Sequence, residues 1–397
     1  MTPAARQQAA IEVLDLWLSG QAAEQALTRW ARSARYAGSK DRAAVRDIVF
    51  DCVRCKRSFA HAGGAMSGRG LVIGRLRARQ EDAAQVFTGH THAPSPLTDA
   101  EQSFRAGPAA NAVSLDIPDW LETPLLTSLG SQAEPVLEAM RARAPVYVRV
   151  NLSISSRESV IADLAAENIV AVLISTCNSC LQVTENARKI VNSKVFQCGM
   201  IELQDLSSQL VCDALPVTKA ARILDYCAGG GGKSLAMADR CRAMGHQVHL
   251  YAHDASPARM RDLPERARRA GVEIATLAQD HLKRHAPFDL VVCDVPCSGS
   301  GAWRRSPDGK WNLTREKLNS LYQTQENILK TAAELVSEAG VLAYVTCSYL
   351  RRENEDQIDA FIQQFPHWRV TASQRFSPLT QGDGFFYALL TRQHGDL

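Results

Sequence analysis

The sequence predicts an α/β protein whose C-terminal part is a mostly parallel sheet covered by helices, preceded by a small α/β module and an all-helical segment. Three observations carry this expectation. Apolar residues recur at helical spacing near the N-terminus, strand-like alternation begins at Val146, and from Ala221 onwards six apolar runs are separated by stretches long enough for helices. The corresponding expected domains are residues 1–140, 141–215 and 216–397.

In the first segment Ile11, Leu14, Trp17 and Leu18 form one apolar stripe, and Val45, Ile48, Val49, Cys52 and Val53 form another. Ser39, just ahead of Asp41 and Arg42, reads as the N-cap of a helix whose exposed face carries Arg42, Arg46, Arg54, Lys56 and Arg57. Residues 62–115 collect Gly, His, Thr and Pro and lose periodicity, which predicts loops joined by short helices. Pro118, Trp120 and Leu121 open a further helical stretch towards Arg143. In the second segment VYVRVNLS reads as a strand, SRESVIADLAAENI as a helix and VAVLIS as a strand, before GMIELQDLSSQLVCDAL leads from strand into helix.

Composition and charge exclude several classes. With 46% hydrophobic residues and 22% charged residues, the 397-residue chain is neither disordered nor low in complexity. No uncharged apolar run approaches the roughly 18 residues that span a bilayer. Glu12 and Asp15 interrupt the apolar stretch at the N-terminus, marking an amphipathic helix and not a signal peptide. Eleven cysteines, an odd number without a secretion signal, point to a reducing cytoplasm. The net charge of +3 hides an uneven distribution, +8 over residues 1–80 and −8 over residues 81–140. A basic first block suits nucleic acid, and it suits a solvated helical surface equally well.

The chemistry gathers at strand ends. Ile223-Leu224-Asp225 runs into the turn Cys227-Ala228-Gly229-Gly230-Gly231-Gly232, and Lys233-Ser234 open a helix; the glycines let the backbone approach a ligand. The turn is not a Walker loop, because Cys227 stands where that motif needs its first glycine. Asp254 lies 29 residues beyond Asp225 at the end of the next strand, where a carboxylate can accept both ribose hydroxyls of an adenosyl group. Asp280 ends a third run, EIATLAQD, where it could meet an adenine edge. A single such aspartate reads as a helix cap, whereas three beside a glycine turn read as a cofactor site.

FDLVVCDVPCSGSG places Asp294 and Cys297 at the end of a fourth strand, and AGVLAYVTCS places Cys347 at the end of a fifth. Cys52, Cys198, Cys212, Cys241 and Cys293 read as small buried hydrophobes. Cys297 and Cys347 instead leave apolar strands into small-residue turns on the ligand-binding rim, which fits covalent catalysis. Cys52-x-x-Cys55 and Cys177-x-x-Cys180 lie over 120 residues apart, too far for a zinc pairing, so no metal site is expected. His61, His90 and His92 read as solvated.

These segments resemble the Sun/Nop (Fmu) family of S-adenosylmethionine-dependent RNA cytosine-5 methyltransferases. DYCAGGGGKS is similar to its DxCAAPGGKT loop, AHDASPARM to AxDxSxxRL, DVPCSGSGAWRRSPDGKW to DAPCSGxGxxRRxPDxxW, YVTCSYLRRENE to YSTCSxxxxENE, and GDGFFYALLTR to the closing DGFFxAxLxR strand. Gly229 and Gly230 replace the family's Ala-Pro pair, and residues 62–115 match poorly. Upstream, GSKDRAAVRDIVFDCVRCKRSF resembles the all-α NusB-like RNA-binding domain of Sun-type bacterial members, and VYVRVN through ELQDLSSQ resembles their small RRM-like module.

The resemblance implies a Rossmann-like class I methyltransferase domain using S-adenosylmethionine. It assigns the cofactor to Cys227, Ala228, Gly229, Gly230, Gly231, Gly232, Lys233, Asp254, Arg259, Asp280 and Asp294. It implies methyl transfer to C5 of a cytosine in RNA, with 16S rRNA favoured by the three-part order, through a covalent bond from Cys347 to C6. Asp294 would hold the amino and N3 edge of the base, Lys233 would support the same site, and Cys297 would promote release; a rival scheme makes Cys297 the nucleophile. Arg304, Arg305 and Lys310 are candidates for phosphate contact, Arg351 and Arg352 add charge near the same rim, and Trp311 suits stacking or a structural role equally. The expected protein is a cytoplasmic monomer that acts on RNA, with neither membrane nor DNA as partner. The alternatives are the same chemistry on tRNA or another rRNA site, and a non-catalytic RNA-binding assembly factor.

Overall fold

The computed structural model describes residues 1–393; the last four residues of the expected third segment, 394–397, lie outside the described residues. The chain forms two compact units, Met1–Arg143 with Trp303–Leu313, and Ala144–Ala302 with Thr314–Leu397. Residues 303–313, which sequence order assigns to the third expected segment, therefore belong to the helical unit. Their side chains explain why: Trp311 Nε1 donates to Val53 O at 2.7 Å, Lys310 Nζ to Arg54 O at 3.0 Å, and Asp308 accepts from Trp17 Nε1 at 2.6 Å.

The helical unit begins with α1 (Pro3–Leu18), α2 (Ala23–Ser33), α3 (Ser39–Arg54), α4 (Lys56–Gly63) and α5 (Gly68–Ala78). Thr2 caps α1 by accepting from Ala5 N at 3.1 Å. The cap of α3 is Gly38, not Ser39, and the Asp41 carboxylate rather than the serine hydroxyl receives the Gly38 N–H at 3.3 Å. Arg54, expected on an exposed face, is buried and donates to Arg304 O at 2.8 Å.

Residues 62–115 hold the expected loops and short helices (Ala83–Val86, Asp99–Ser103 and Asn111–Ser114), but α5 is a longer helix than the loss of periodicity predicted. Its Leu71, Val72, Ile73 and Leu76 are fully buried. The glycines that hide it in the sequence allow its packing on α4. A Cβ at Gly63 would sit 1.8 Å from Gly70 O, and one at Gly74 would sit 1.8 Å from Phe59 O.

The second unit holds two sheets. The smaller is antiparallel, with β1 (Val146–Val150), β2 (Val170–Leu173), β3 (Cys180–Glu185) and β4 (Ile201–Leu203) in the order β2-β3-β1-β4. With the helix Arg157–Ala166 between β1 and β2, this is a split β-α-β-β arrangement.

The larger sheet has seven strands: β5 (Arg222–Asp225), β6 (His249–Ala252), β7 (Ala275–Thr276), β8 (Phe288–Asp294), β9 (Val336–Thr346), β10 (Trp368–Phe376) and β11 (Phe385–Arg392). Their order is β10-β11-β9-β8-β5-β6-β7; strands β5 to β9 run parallel, and β11 pairs antiparallel with both β9 and β10. Alternate residues feed opposite cores. Leu224, Val291, Leu342 and Tyr344 enter one, and Ile223, Leu290, Val292, Ala343 and Val345 enter the other. This is the Rossmann-like α/β architecture of the expectation.

Two strands differ from the sequence reading. Strand β10 is one the sequence reading did not assign, lying after the helix Glu355–Gln364 that the interval was expected to hold; it is a mostly exposed edge with the polar sequence WRVTASQRF. Strand β7 is only two residues long, so Asp280 does not end it; Asp280 lies further on, in the 3₁₀ turn Gln279–His281. Among the described residues no helix is long and apolar enough to cross a membrane.

Candidate active site

Strand order fixes where a ligand can bind. β5 has β6 on one side and β8 on the other, and open α/β sheets bind ligands in the crevice at the carboxyl ends beside such a reversal. The register levels those ends, pairing Asp225 with Ala252 and Val292, and Asp294 with Val345. The glycine turn, Asp254, Asp294 and both candidate thiols follow from these four strands.

The turn brings Cys227, Ala228 and Gly229 to Gly232 together. Gly229 and Gly231 have φ of +52° and +79°, and a Cβ on Gly231 would lie 2.2 Å from Leu263 Cδ1, so glycine is required there. Asp254 is buried and braces the turn: Oδ2 accepts from Gly229 N at 2.9 Å and Arg259 Nη1 at 3.1 Å, and Oδ1 accepts from Ser256 N at 2.9 Å. Each oxygen has two lone pairs, so Oδ1 keeps room for another donor. Arg266 donates to Gly230 O on the opposite side of the turn.

Asp225 is 1% exposed; its Oδ2 accepts from Ser234 Oγ at 2.6 Å while Oδ1 has no partner. Burial pushes its carboxyl up to about 6. An orphaned buried acceptor beside glycine amides suits a ligand with both an ammonium and a carboxylate, as on a methionine moiety. Asp280 is not gathered into this cluster: its side chain is largely exposed and lies 3.8 Å from His281 Nε2. The Cys227 thiol is pushed up by burial and by neighbouring acidic groups, which makes it a packing group in the turn.

On the other side of β5, Lys233 Nζ meets Asp294 Oδ2 at 2.7 Å and lies 5.2 Å from the Phe385 ring. Burial pulls the Lys233 ammonium down, but the Asp294 carboxylate, with Cys212 and Asp225, outweighs it and holds lysine above its ordinary range. The thiols converge beside this strand end, with Cys297 Sγ 3.4 Å from Cys347 Sγ. Val295 N donates to Val345 O and Gly301 N to Cys347 O, each at 3.0 Å, joining the two turns by backbone. The Cys297 thiol is held well above its ordinary value by the hydrogen bond to Cys347, then by burial and by the Cys347 and Glu353 charges. These neighbours oppose a thiolate at Cys297. Such a site offers one sulfur for attack and a second within reach of the same atom.

Sequence reasoning missed the groups that hold these turns. Glu353, Gln325, Ser348 and Ser300 are all essentially buried and bonded around the two cysteines. The available signal was a serine following each cysteine, Cys297-Ser298 and Cys347-Ser348.

Two of the proposed phosphate contacts lie elsewhere. Arg304 and Lys310 are buried in the helical unit, where burial pulls the Lys310 ammonium down to about 8, and Trp311 packs there in a structural role; Arg305 is exposed. A cavity of about 380 Å³ lined by Arg149, Gln209, Asp213 and Arg240 contains none of the strand-end groups. Among the described residues, no three of His, Cys, Asp and Glu gather as a metal site.

Comparison with known proteins places these features in a family. The profile of the family 16S rRNA methyltransferase RsmB/F matches residues 213–394, and that of the Methyltr_RsmF/B-like, ferredoxin-like domain matches residues 117–188. A ribosomal RNA small subunit methyltransferase B from Xanthomonas campestris pv. campestris is 32% identical over 307 residues, 72% of this chain and 69% of the relative. One from Vibrio vulnificus is 28% identical over 288 residues, 70% and 66% of the two chains. Among solved structures, PH0851 superposes over 99% of both chains with a TM-score of 0.76 at 22% identity. NSun6 from Pyrococcus horikoshii with SFG covers 69% of this chain and 98% of its own, with a TM-score of 0.61 at 18% identity. At these identities the structural likeness establishes the fold.

Proposed function

Because the chain belongs to the 16S rRNA methyltransferase RsmB/F family, whose members depend on S-adenosylmethionine, we propose that it methylates C5 of a cytosine in 16S rRNA through a covalent bond between Cys347 and C6. The observation that carries this reading is the 3.4 Å approach of Cys297 and Cys347 beside the Lys233–Asp294 pair. One buried thiol is a packing group; two at one strand-end rim call for a reaction that uses both.

Cytosine C5 is too weak a nucleophile to attack a methyl donor unaided. Addition of the Cys347 sulfur to C6 breaks the ring's conjugation and makes C5 an enamine carbon, dividing one hard step into two easier ones. S-adenosylmethionine, when bound, supplies an electrophilic sulfonium methyl group. The orphaned Asp225 Oδ1 and the amides of Gly229 to Gly232 suit its methionine end, and the spare capacity of Asp254 Oδ1 suits its ribose hydroxyls. Asp294 accepts from the base's amino group and from N3–H, once N3 has taken up the proton that the Cys347 thiol releases on adding to C6. Lys233 Nζ, 2.7 Å from Asp294 Oδ2, holds that carboxylate in position. After transfer the C5 proton must leave so that the Cys347–C6 bond can break; Cys297, at hydrogen-bond distance from Cys347, would give its own proton to the departing Cys347 sulfur and take up the C5 proton in its place. The target base must leave its stack, which costs least in a loop or single strand.

The test separates the two thiols. Cys297→Ala, incubated with S-adenosylmethionine and a 16S rRNA transcript, should accumulate an RNA–protein adduct on a denaturing gel. Cys347→Ala should give neither adduct nor product. An adduct that persists in Cys347→Ala would make Cys297 the nucleophile. Bisulfite mapping of wild-type product identifies the cytosine; product on tRNA alone would move the substrate, and no product on any RNA would leave only binding.

A further inference from the structure

Around the thiols lies a buried carboxylate with no catalytic assignment. Glu353 is 0% exposed and sits in the 3₁₀ turn Arg351–Glu353 that follows the Cys347 turn. Its Oε1 accepts from Ser298 N at 2.7 Å and from Gln325 Nε2 at 3.0 Å. Its Oε2 accepts from Ser298 Oγ at 2.5 Å and from Ser348 Oγ. Ser298 follows Cys297 and Ser348 follows Cys347, so one carboxylate receives the hydroxyl next to each thiol. The two hydroxyls also lie 3.2 Å apart.

The surroundings hold the carboxylate in place. Tyr344 Oη donates to Glu353 O at 2.6 Å, and Gln325 Nε2 also donates to Pro296 O at 3.0 Å, directly before Cys297. Asn354 Nδ2 donates to Ser348 O at 2.9 Å while its Oδ1 accepts from Thr346 Oγ1 at 2.6 Å. Three neutral side chains and one backbone amide donate to the Glu353 carboxylate in these contacts, and no cation does. A structural ion pair is therefore a poor account of it. Burying an ionised group without a counter-ion is costly, and donors aimed at both oxygens offset that cost only while the two cysteine turns stay in this arrangement.

We propose that Glu353 is the positioning residue of the thiol pair: its carboxylate clamps the Cys297-Ser298 and Cys347-Ser348 turns together and sets the approach of the two sulfurs. This rests on the reading of Cys347 and Cys297 as the reacting thiols. The clamp also distinguishes them. Glu353 receives the peptide N–H that follows Cys297, but only the side-chain hydroxyl that follows Cys347, so its negative charge opposes a thiolate at Cys297 more directly. The other ionisable groups about the pair are Tyr344 on β9, Cys293 and Asp294 on β8, and Cys227 and Lys233 in and after the glycine turn. The carboxylate thus raises the cost of a thiolate at Cys297, which fits Cys347 as the attacking sulfur.

The experiment uses the full chain with Glu353→Gln and Glu353→Asp. Methyl transfer to a 16S rRNA transcript, S-adenosylhomocysteine affinity by calorimetry, and iodoacetamide labelling of Cys297 and Cys347 resolved by peptide mass spectrometry are measured between pH 6 and 9. Glu353→Gln should lower methyl transfer about 10- to 100-fold, as expected when a supporting group lets reacting atoms drift. It should leave the affinity within about two-fold and raise the Cys297-to-Cys347 labelling ratio about five-fold or more. Glu353→Asp keeps the charge but shortens the reach, so transfer should fall while the labelling ratio stays near wild type. If Glu353→Gln does not fold, Ser348→Ala removes one donor and should lower transfer about 5- to 10-fold. Wild-type transfer with an unchanged labelling ratio in Glu353→Gln would overturn the proposal. So would a loss of transfer matched by an equal loss of cofactor affinity and melting temperature. Labelling needs no RNA, so a wild-type enzyme inactive on every RNA would sink the proposed function and leave the clamp tested on its own.

Discussion

Gly74→Ala opposes helix propensity to packing within the helical unit. Alanine is favoured over glycine in a helix interior by about 1 kcal/mol, so propensity predicts a more stable protein. The structure predicts the reverse. The new Cβ would lie 1.8 Å from Phe59 O and 2.6 Å from Phe59 C, whereas ordinary contact begins at 3.4 Å. Helix α5 would have to withdraw from α4 by about 1.6 Å, and the obstructing atoms are backbone that no rotamer change can move. The helices meet again where Gly63 faces Gly70 O, so sliding cannot relieve the overlap. Overpacking of this kind costs about 3 kcal/mol, leaving a net loss of about 2 kcal/mol after the propensity gain. For a unit of this size that is a melting point lower by about 4–8 °C. Tryptophan fluorescence reads it selectively, since Trp17, Trp30, Trp120, Trp303 and Trp311 lie in this unit and Trp368 in the other. Gly107→Ala, with nothing within 4 Å of its Cβ, is the control and should shift stability by less than about 0.5 kcal/mol. If Gly74→Ala melts at or above wild type, the close helix approach is not what the glycines serve.

Three further outcomes follow from buried polar groups. Asp225, raised by burial to about 6, should make S-adenosylhomocysteine binding weaken as pH falls from 7 to 5; Asp225→Asn should bind about ten-fold more weakly and lose that slope, and calorimetry showing wild-type affinity would remove Oδ1 as the acceptor. Lys310, lowered by burial to about 8, binds its proton more weakly folded than unfolded, so the helical unit should gain stability as pH rises from 8 to 10.5, by up to about 3 kcal/mol. Lys310→Met should flatten the rise in denaturant midpoint between pH 7.5 and 9.5, and an identical slope in both proteins would refute this. Asp116 accepts from Arg57 N and Ser58 N at the start of α4 and from Arg141 Nε, all at 2.9 Å, so Asp116→Ala should destabilise the same unit by about 3 kcal/mol in urea titrations.

Legibility in the sequence followed burial. Parallel strands covered on both faces must be apolar along their length, so the runs around Asp225, Asp294 and Cys347 announced themselves, and a parallel sheet then has to align their ends. Edges carry no such signal. Strand β10 faces solvent along most of its length and reads as polar, and β7 pairs over two residues only, which is why Asp280 was placed at a strand end it does not occupy. Helix α5 was obscured because the feature that allows its packing, glycine at three positions, is the feature that marks loops. Glu353 was obscured for another reason. Its partners stand 5, 28 and 55 residues away along the chain, and no local period encodes that meeting.

The path of residues 303–313 changes what counts as a separable part. The chain passes between the two units three times, after Arg143, after Ala302 and after Leu313. A gene cut at residue 143 would remove the partners of Trp311, Lys310 and Asp308 while leaving those residues in the truncated protein, a few positions downstream of Cys297. An inactive C-terminal fragment would thus say little about RNA delivery, because an uncovered tryptophan and a stranded ammonium could account for the failure. Transplanting the helical unit onto another enzyme would have to carry this eleven-residue insert with it. For recombination, as for design, the heritable module is discontinuous.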